Sequence, residues 1–295
     1  MTLSAQALSL FAVPDADLAA LRYADEQVCA APDLAGWVTA TADGLRAAIG
    51  RPSPPPGLSS RPPGEPHTVA YLPVLAFAET LPTTLAWART RGIPPAVVAA
   101  TLGDVGRMLV RNRLWAGHIG LGDELGGWLT RHLVGSVLQV GRLQHERSAA
   151  GLRTGAWLQE DGAAYAQGDV CVNLHVPETG PLAPGAVLES LRAGRSLLRR
   201  RFPEERLRVR FCVSWLLDPQ LGEYLPASSN ILAFQRLFRI GPAKDDDGDA
   251  SVRKFVFGGD LAPVVDLPQG TALERAVVAH WRAGRRWRVH VGRLP

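Results

Sequence analysis

The chain has 295 residues, of which 46% are hydrophobic and 20% charged, with a formal net charge of +4. It is long enough for a large core and for two domains, and a mean hydropathy of +0.02 marks a soluble globular protein. Apolar runs are broken by Pro, Gly or charge before the roughly 18 residues of a spanning helix, and Met1 to Ala12 lacks a signal peptide's basic start, so a cytoplasmic location is expected. Despite an isoelectric point of about 9.3, the arginines are scattered without an aromatic-interleaved patch, and nucleic-acid binding is not expected. Cys29, Cys171 and Cys212 are odd in number and lack CxxC spacing, and two of them sit inside apolar strand-like runs, which suits buried thiols better than disulfides. The bias toward Arg, Ala, Leu, Gly and Pro over Lys looks like a GC-rich bacterial genome and carries no functional content.

The N-terminal part reads as helices over Asp15 to Val28 and Asp33 to Ile49, the latter with Asp33 as N-cap and Gly50 as stop. Arg51 to Pro66 carries seven prolines and reads as an extended surface loop. Thr68 to Arg91 is helical with a break near Pro82, and a further helix opens at Pro94 and Pro95. In it Val98, Leu102, Val105 and Leu109 draw one apolar stripe. Asp123 to Val134 is the last helix, so 1–134 is expected to be an all-helical domain and 135–295 a second domain.

From Ser136 to Arg147 the period becomes that of a strand, with Gly141 as a bulge. Val170 to Val176 is a strand whose faces are Val170, Val172, Leu174, Val176 and Cys171, Asn173, His175. Pro184 to Phe202 is a helix, and Leu207 to Ser214 the next strand. A short helix follows Asp218-Pro219, then a strand around Gln235 to Ile240. Lys244 to Ala250 (KDDDGDA) reads as a solvated hairpin loop, since it lacks the ligand spacing of a calcium site, and leads to a strand at Val252 to Phe257. A helix, Thr271 to Ala283, and a strand, Trp287 to Val291, complete the chain. The fold class is therefore α/β (α+β).

No GxSxG, Walker A, HExxH or helix-opening GxGxxG motif is present. Attention falls on two strand ends, VCVNLHVPETGPLAP and FCVSWLLDPQLGEYLPASSN. His175 and Glu178 suit either a proton-accepting pair or a hydrogen-bonded histidine beside a surface acid. The ETGPLAP segment, with Thr179, Gly180 and Leu182, leads into a helix whose N-terminus favours an anion, or it is an ordinary turn. Asp218 is a helix cap or a site carboxylate, and Tyr224 a packed phenol or a proton donor. Ser214, Ser228 and Asn230 are cap, turn or binding residues. His132, His145 and Glu146 have no spacing that requires a metal site with His175, and none is expected.

The segments LPTTLAWARTRGIPP, TLGDVGRMLVRNR, GWLTRHLVGSVLQVGRLQHER, VNLHVPETGPLAP, RRFPEER and VSWLLDPQLGEYLPASSNILAFQRLF resemble a family of bacterial acyl-CoA N-acyltransferases. Its members join a helical N-terminal domain to a GNAT-like C-terminal domain. The resemblance implies a mixed sheet with helices on both faces and acyl-CoA or acetyl-CoA as co-substrate. It further implies CoA pyrophosphate at the helix start near Pro184 and the pantetheine arm between the strands Val170 to Val176 and Leu207 to Ser214. The acceptor would be a small-molecule or peptide amine.

On that pattern Glu178 or His175 takes the amine proton and Tyr224 protonates the thiolate. Thr179, Gly180, Leu182 and Ser214 meet the cofactor. Asn173, Ser228 and Asn230 bind the acceptor, and Asp218 orients. The usual Gly-rich phosphate loop is replaced by ETGPLAP. The competing expectation is a non-catalytic GNAT-like binding or scaffold protein that has lost this loop.

Overall fold

A computed structural model describes residues 3–295, without side-chain detail at 116 and 245–247. The chain divides into two compact units, Met1–Val140 and Gly141–Pro295.

The first unit holds α1 (Ala5–Leu10), α2 (Asp15–Ala30), α3 (Pro32–Ala48), α4 (Pro66–Thr90), α5 (Pro95–Leu102), α6 (Asp104–Ala116), α7 (Asp123–Leu133) and the strand β1 (Val137–Val140). Its centre is α4, which is long and apolar enough to cross a membrane by length and composition but is mostly buried. Tyr71, Leu72, Val74, Leu75 and Phe77 of α4 are wholly buried in the unit's core. The expected break at Pro82 does not occur, and Pro73 is also accommodated within the helix. The Val69 carbonyl, which loses its helical donor to Pro73, accepts from Arg61 Nη1 at 3.3 Å. Where a single helix is expected after Pro94, α5 and α6 meet at Gly103. At α3, Pro32 takes the first turn and Ala31 stands at the N-cap in place of Asp33. His132 is buried against Asp104 at 2.9 Å, a carboxylate that Arg107 also holds.

The second unit contains β2 (Leu143–Ala149), α8 (Leu152–Glu160), β3 (Val170–His175), α9 (Pro184–Arg201) and β4 (Arg210–Ser214). Two 3-10 turns, Trp215–Leu217 and Pro219–Glu223, lead to α10 (Asn230–Gln235), β5 (Arg239–Asp247), α11 (Gly248–Val256), α12 (Ala272–Arg282) and β6 (Arg288–Arg293). The strands follow the order β2-β3-β4-β6-β5, with β3 and β4 parallel and the other neighbours antiparallel.

Pleating puts His145, Leu174 and Cys212 on one face and Glu146, Asn173 and Phe211 on the other. On the first face Gly194 of α9 lies so close to the His145 ring that a Cβ there would collide with it. On the second, Leu158 of α8 and Tyr165 join Cys171, Phe211 and Val291 in a core cluster. Helices thus cover both faces of a mixed sheet, as expected.

Three expectations about the second half of the chain are corrected. Ser136 to Arg147 is two strands, because Gly141 adopts a left-handed φ of 63° and turns the chain there. Lys244 to Ala250 is no hairpin loop, and Val252 to Phe257 is no strand. The backbone of β5 runs through Asp247 and α11 follows at once. The Asp245, Asp246 and Asp247 side chains, on which the solvated-turn expectation rested, lie outside the described residues. The helix forms because Gly248, Val252 and Val256 recur every four residues, and Gly248 packs where a Cβ would strike the Trp287 backbone.

Candidate active site at the ends of the parallel strands

The β3–β4 ladder pairs Val172, Asn173 and Leu174 with Arg210, Phe211 and Cys212. Among the described residues no pair extends it, although β3 continues to His175 and β4 to Ser214. The two parallel strands therefore stop pairing where their sequence turns polar.

Beside this opening stands Glu146 of β2, set directly across from Asn173 by the antiparallel register. Its Oε2 lies 2.7 Å from His175 Nε2 and accepts from Asn173 Nδ2 at 3.2 Å. The Glu146 side chain is 6% exposed and that of His175 24%. A buried carboxylate thus anchors two side chains of β3, of which His175 lies just beyond the last β3–β4 pair. Because an ionised carboxylate only accepts, Nε2 of His175 carries the hydrogen, and Nδ1 is the nitrogen with a lone pair. The same reasoning fixes the Asn173 amide, and its Oδ1 is buried without a partner. His145, adjacent in sequence to Glu146, faces α9 and lies 3.3 Å from Ser190 Oγ. Burial, aided by Arg210 and His175, pushes its pKa down to about 3. Among the described residues no cluster of three metal-ligating side chains occurs.

The loop after β3 carries Glu178, Thr179 and Gly180 on its exposed side, with Leu182 buried. Gly180 has φ 118°, a conformation that demands glycine although its Cβ position opens onto free space. The 18-residue α9 then begins with Pro184 and has no acidic residue in its first turn.

The end of β4 is organised differently. Ser214 Oγ accepts from Leu216 N at 3.1 Å and caps the first 3-10 turn. Asp218 is wholly buried and accepts from Gln220 N at 3.0 Å and from Arg288 N at 2.8 Å. These bonds make Asp218 a cap that ties the turn to the start of β6. Ser228 is exposed, and Asn230 opens α10 behind its N-cap Ser229. No contact brings Ser228 or Asn230 to His175 among the described residues.

Tyr224 closes the second 3-10 turn, half-buried. Its phenol lies 3.2 Å from His280 Nδ1 and 3.5 Å from Arg285 Nη1, and its ring meets His280 and Trp287 edge-on. Trp287 leads into β6, which runs antiparallel to β4, so Tyr224 lies at the same end of the sheet as His175 without touching it. Glu146 carries no sequence motif of acid-base chemistry. Its partners come from cross-strand register, and its only local signal is a carboxylate within an otherwise buried strand.

A mixed sheet covered by helices on both faces, with one parallel pair at its middle, matches a GNAT-like fold. Residues 3–135 match the N-acyltransferase N-terminal domain family and residues 137–294 the GNAT-like C-terminal domain family. The chain belongs to this N-acyltransferase family. It is 32% identical to an acyltransferase solved in complex with decanoyl-CoA, with a TM-score of 0.85 over 98% of this chain and 87% of that one. An acyltransferase complex with decanoyl-CoA and teicoplanin shows the same identity and coverage at a TM-score of 0.83. A further complex, with CoA and 10C-teicoplanin, matches at 32% identity and TM-score 0.83, covering 98% of this chain and 86% of that one. No curated protein matches the chain.

Proposed function

We propose that the protein transfers an acyl group from acyl-CoA to the amine of a small-molecule acceptor by direct attack. The carrying observation is the Glu146–His175–Asn173 constellation beside the opened β3–β4 pair. Structural relatives that hold decanoyl-CoA and CoA support the donor class, and the two teicoplanin complexes support a glycopeptide as the first acceptor to try. They also leave the non-catalytic scaffold disfavoured.

In the proposed reaction the neutral amine attacks the thioester carbonyl, a C–N bond forms and the C–S bond breaks. His175 Nδ1 accepts the amine proton, and Glu146 stabilises the resulting imidazolium through Nε2. Asn173 Nδ2 donates to the same Glu146 oxygen and holds the carboxylate in place against His175. The thiolate takes its proton from Tyr224, whose oxygen is backed by Arg285, a group that can only donate. The proton lost by the amine balances the one gained by the thiol. Thr179, Gly180 and Leu182 lie at the nucleotide end, near the start of α9, where backbone N–H groups favour pyrophosphate. Glu178, exposed on that loop, is left outside the proton transfer.

The test is the release of free CoA thiol from decanoyl-CoA in the presence of teicoplanin and of simpler amines, followed by mass spectrometry of the acceptor. Acceptor-dependent thiol release with a matching mass increase is expected. No binding of any acyl-CoA at millimolar concentration would sink the proposal.

A further inference from the structure

Arg142 sits in the turn between β1 and β2, half-buried. Its guanidinium donates through all three nitrogens to a loop far along the chain. Nη1 reaches the Pro177 carbonyl at 2.9 Å, Nη2 that of Gly180 at 2.6 Å, and Nε that of Pro181 at 2.9 Å. Three charge-assisted bonds from one rigid fork hold the segment that joins β3 to α9.

Within the segment itself Thr179 N donates to the Pro177 carbonyl at 2.9 Å and Leu182 is buried. Pro181 and Pro184 lack N–H groups, and no run of glycines supplies the concave backbone on which phosphate loops rely. In a planar trans peptide the C=O and the following N–H point in opposite directions. Turning the Pro177 and Pro181 carbonyls toward Arg142 therefore turns the N–H groups of Glu178 and Leu182 away from it. The first turn of α9 comes next, without an acidic side chain and with open space at Gly185. Three of its five N–H groups are spent on these carbonyls, so Arg142 acts through the loop.

We infer that Arg142 is a positioning residue for the nucleotide end of the acyl donor, imposing from outside the loop geometry that a Gly-rich sequence would supply from within. This rests on the acyl-CoA reading above. It also explains how ETGPLAP can serve in place of the usual loop.

The experiment compares two donors in the full-length protein, an acyl-CoA and the same acyl group on pantetheine, which lacks the nucleotide. Arg142→Gln should raise KM for acyl-CoA about tenfold or more with kcat within about threefold, and lower kcat/KM for acyl-pantetheine at most about twofold. Arg142→Lys keeps the charge but not the fork and should recover only part of the loss. Gly180→Ala strains the loop from within and should reproduce the donor-selective effect if Arg142→Gln folds poorly. Equal losses with both donors, no loss with either, or full rescue by Lys would each overturn the inference. Calorimetry with CoA separates the two levels of claim. Wild type that fails to bind CoA refutes the acyl-CoA reading and the inference with it. Wild type and Arg142→Gln binding CoA equally well refutes the inference alone.

Discussion

The ends of β3 and β4 carry the same kind of sequence, apolar residues followed by a polar cluster, and the fold uses them in opposite ways. At β4, Ser214 and Asp218 turn their oxygens onto backbone N–H groups at 2.8–3.1 Å and are absorbed as caps. At β3, His175 and Asn173 converge on a carboxylate from the neighbouring strand. Backbone-bound polar groups hold a turn in place. The His175–Glu146 pair, at 2.7 Å, can accept and steady a proton, whereas Asp218 Oδ1 stands 4.0 Å from His290 Nε2.

The largest expected effect separates these ends most clearly. His175→Ala should lower kcat by about 10²–10⁴-fold, the range for loss of a general base, with little change in melting temperature. Asp218→Ala should leave two buried backbone N–H groups unpaired and cost about 2–4 kcal/mol of stability in urea denaturation. A stable but inactive Asp218→Ala protein would break the comparison by giving Asp218 itself a part in the chemistry.

Much of this arrangement was legible in the chain and some was not. Period-two alternation and the prolines at 177 and 184 marked β3 and α9, and placed His175 and Asn173 on one face. Glu146 carried no comparable mark, because its place across from Asn173 depends on register between strands far apart in sequence. Asp and Gly in KDDDGDA suggested a turn, whereas the four-residue spacing of Gly248, Val252 and Val256 was the signal for α11. Pro82 suggested a helix end in α4, yet burial of the surrounding apolar residues kept the helix whole. The structural role of Asp218 was open in sequence and became definite only through its bond to Arg288 N, a residue 70 positions away.

Smaller effects sharpen the comparison. Glu146→Gln keeps the shape but removes the charge that steadies the imidazolium, and should reduce kcat about 10–100-fold with a smaller change in acceptor KM. Tyr224→Phe should lower kcat by about tenfold or more while acyl-CoA affinity stays within twofold, and unchanged turnover would remove its role as proton donor.

His145 supplies a contrast within β2 itself. Its folded pKa of about 3 lies below the ordinary 6.5 because burial penalises the charged ring. The unfolded chain therefore binds more protons between these values. The stability that His145 contributes is full above about pH 6.5 and falls as the pH drops toward 3, by up to about 1.4 kcal/mol per pH unit. His145→Gln should flatten the fall in urea midpoint between pH 6.5 and 5, and an unaltered slope would contradict the assignment.

The central claim is that Glu146 and His175 act as one unit, and a double-mutant cycle on kcat for acyl-CoA-dependent amine acylation tests it most directly. Once His175 is gone, Glu146→Gln should cost less than about twofold, so the double variant Glu146→Gln/His175→Ala falls no further than His175→Ala. Losses that simply multiply would show that the two residues work independently and would contradict the account.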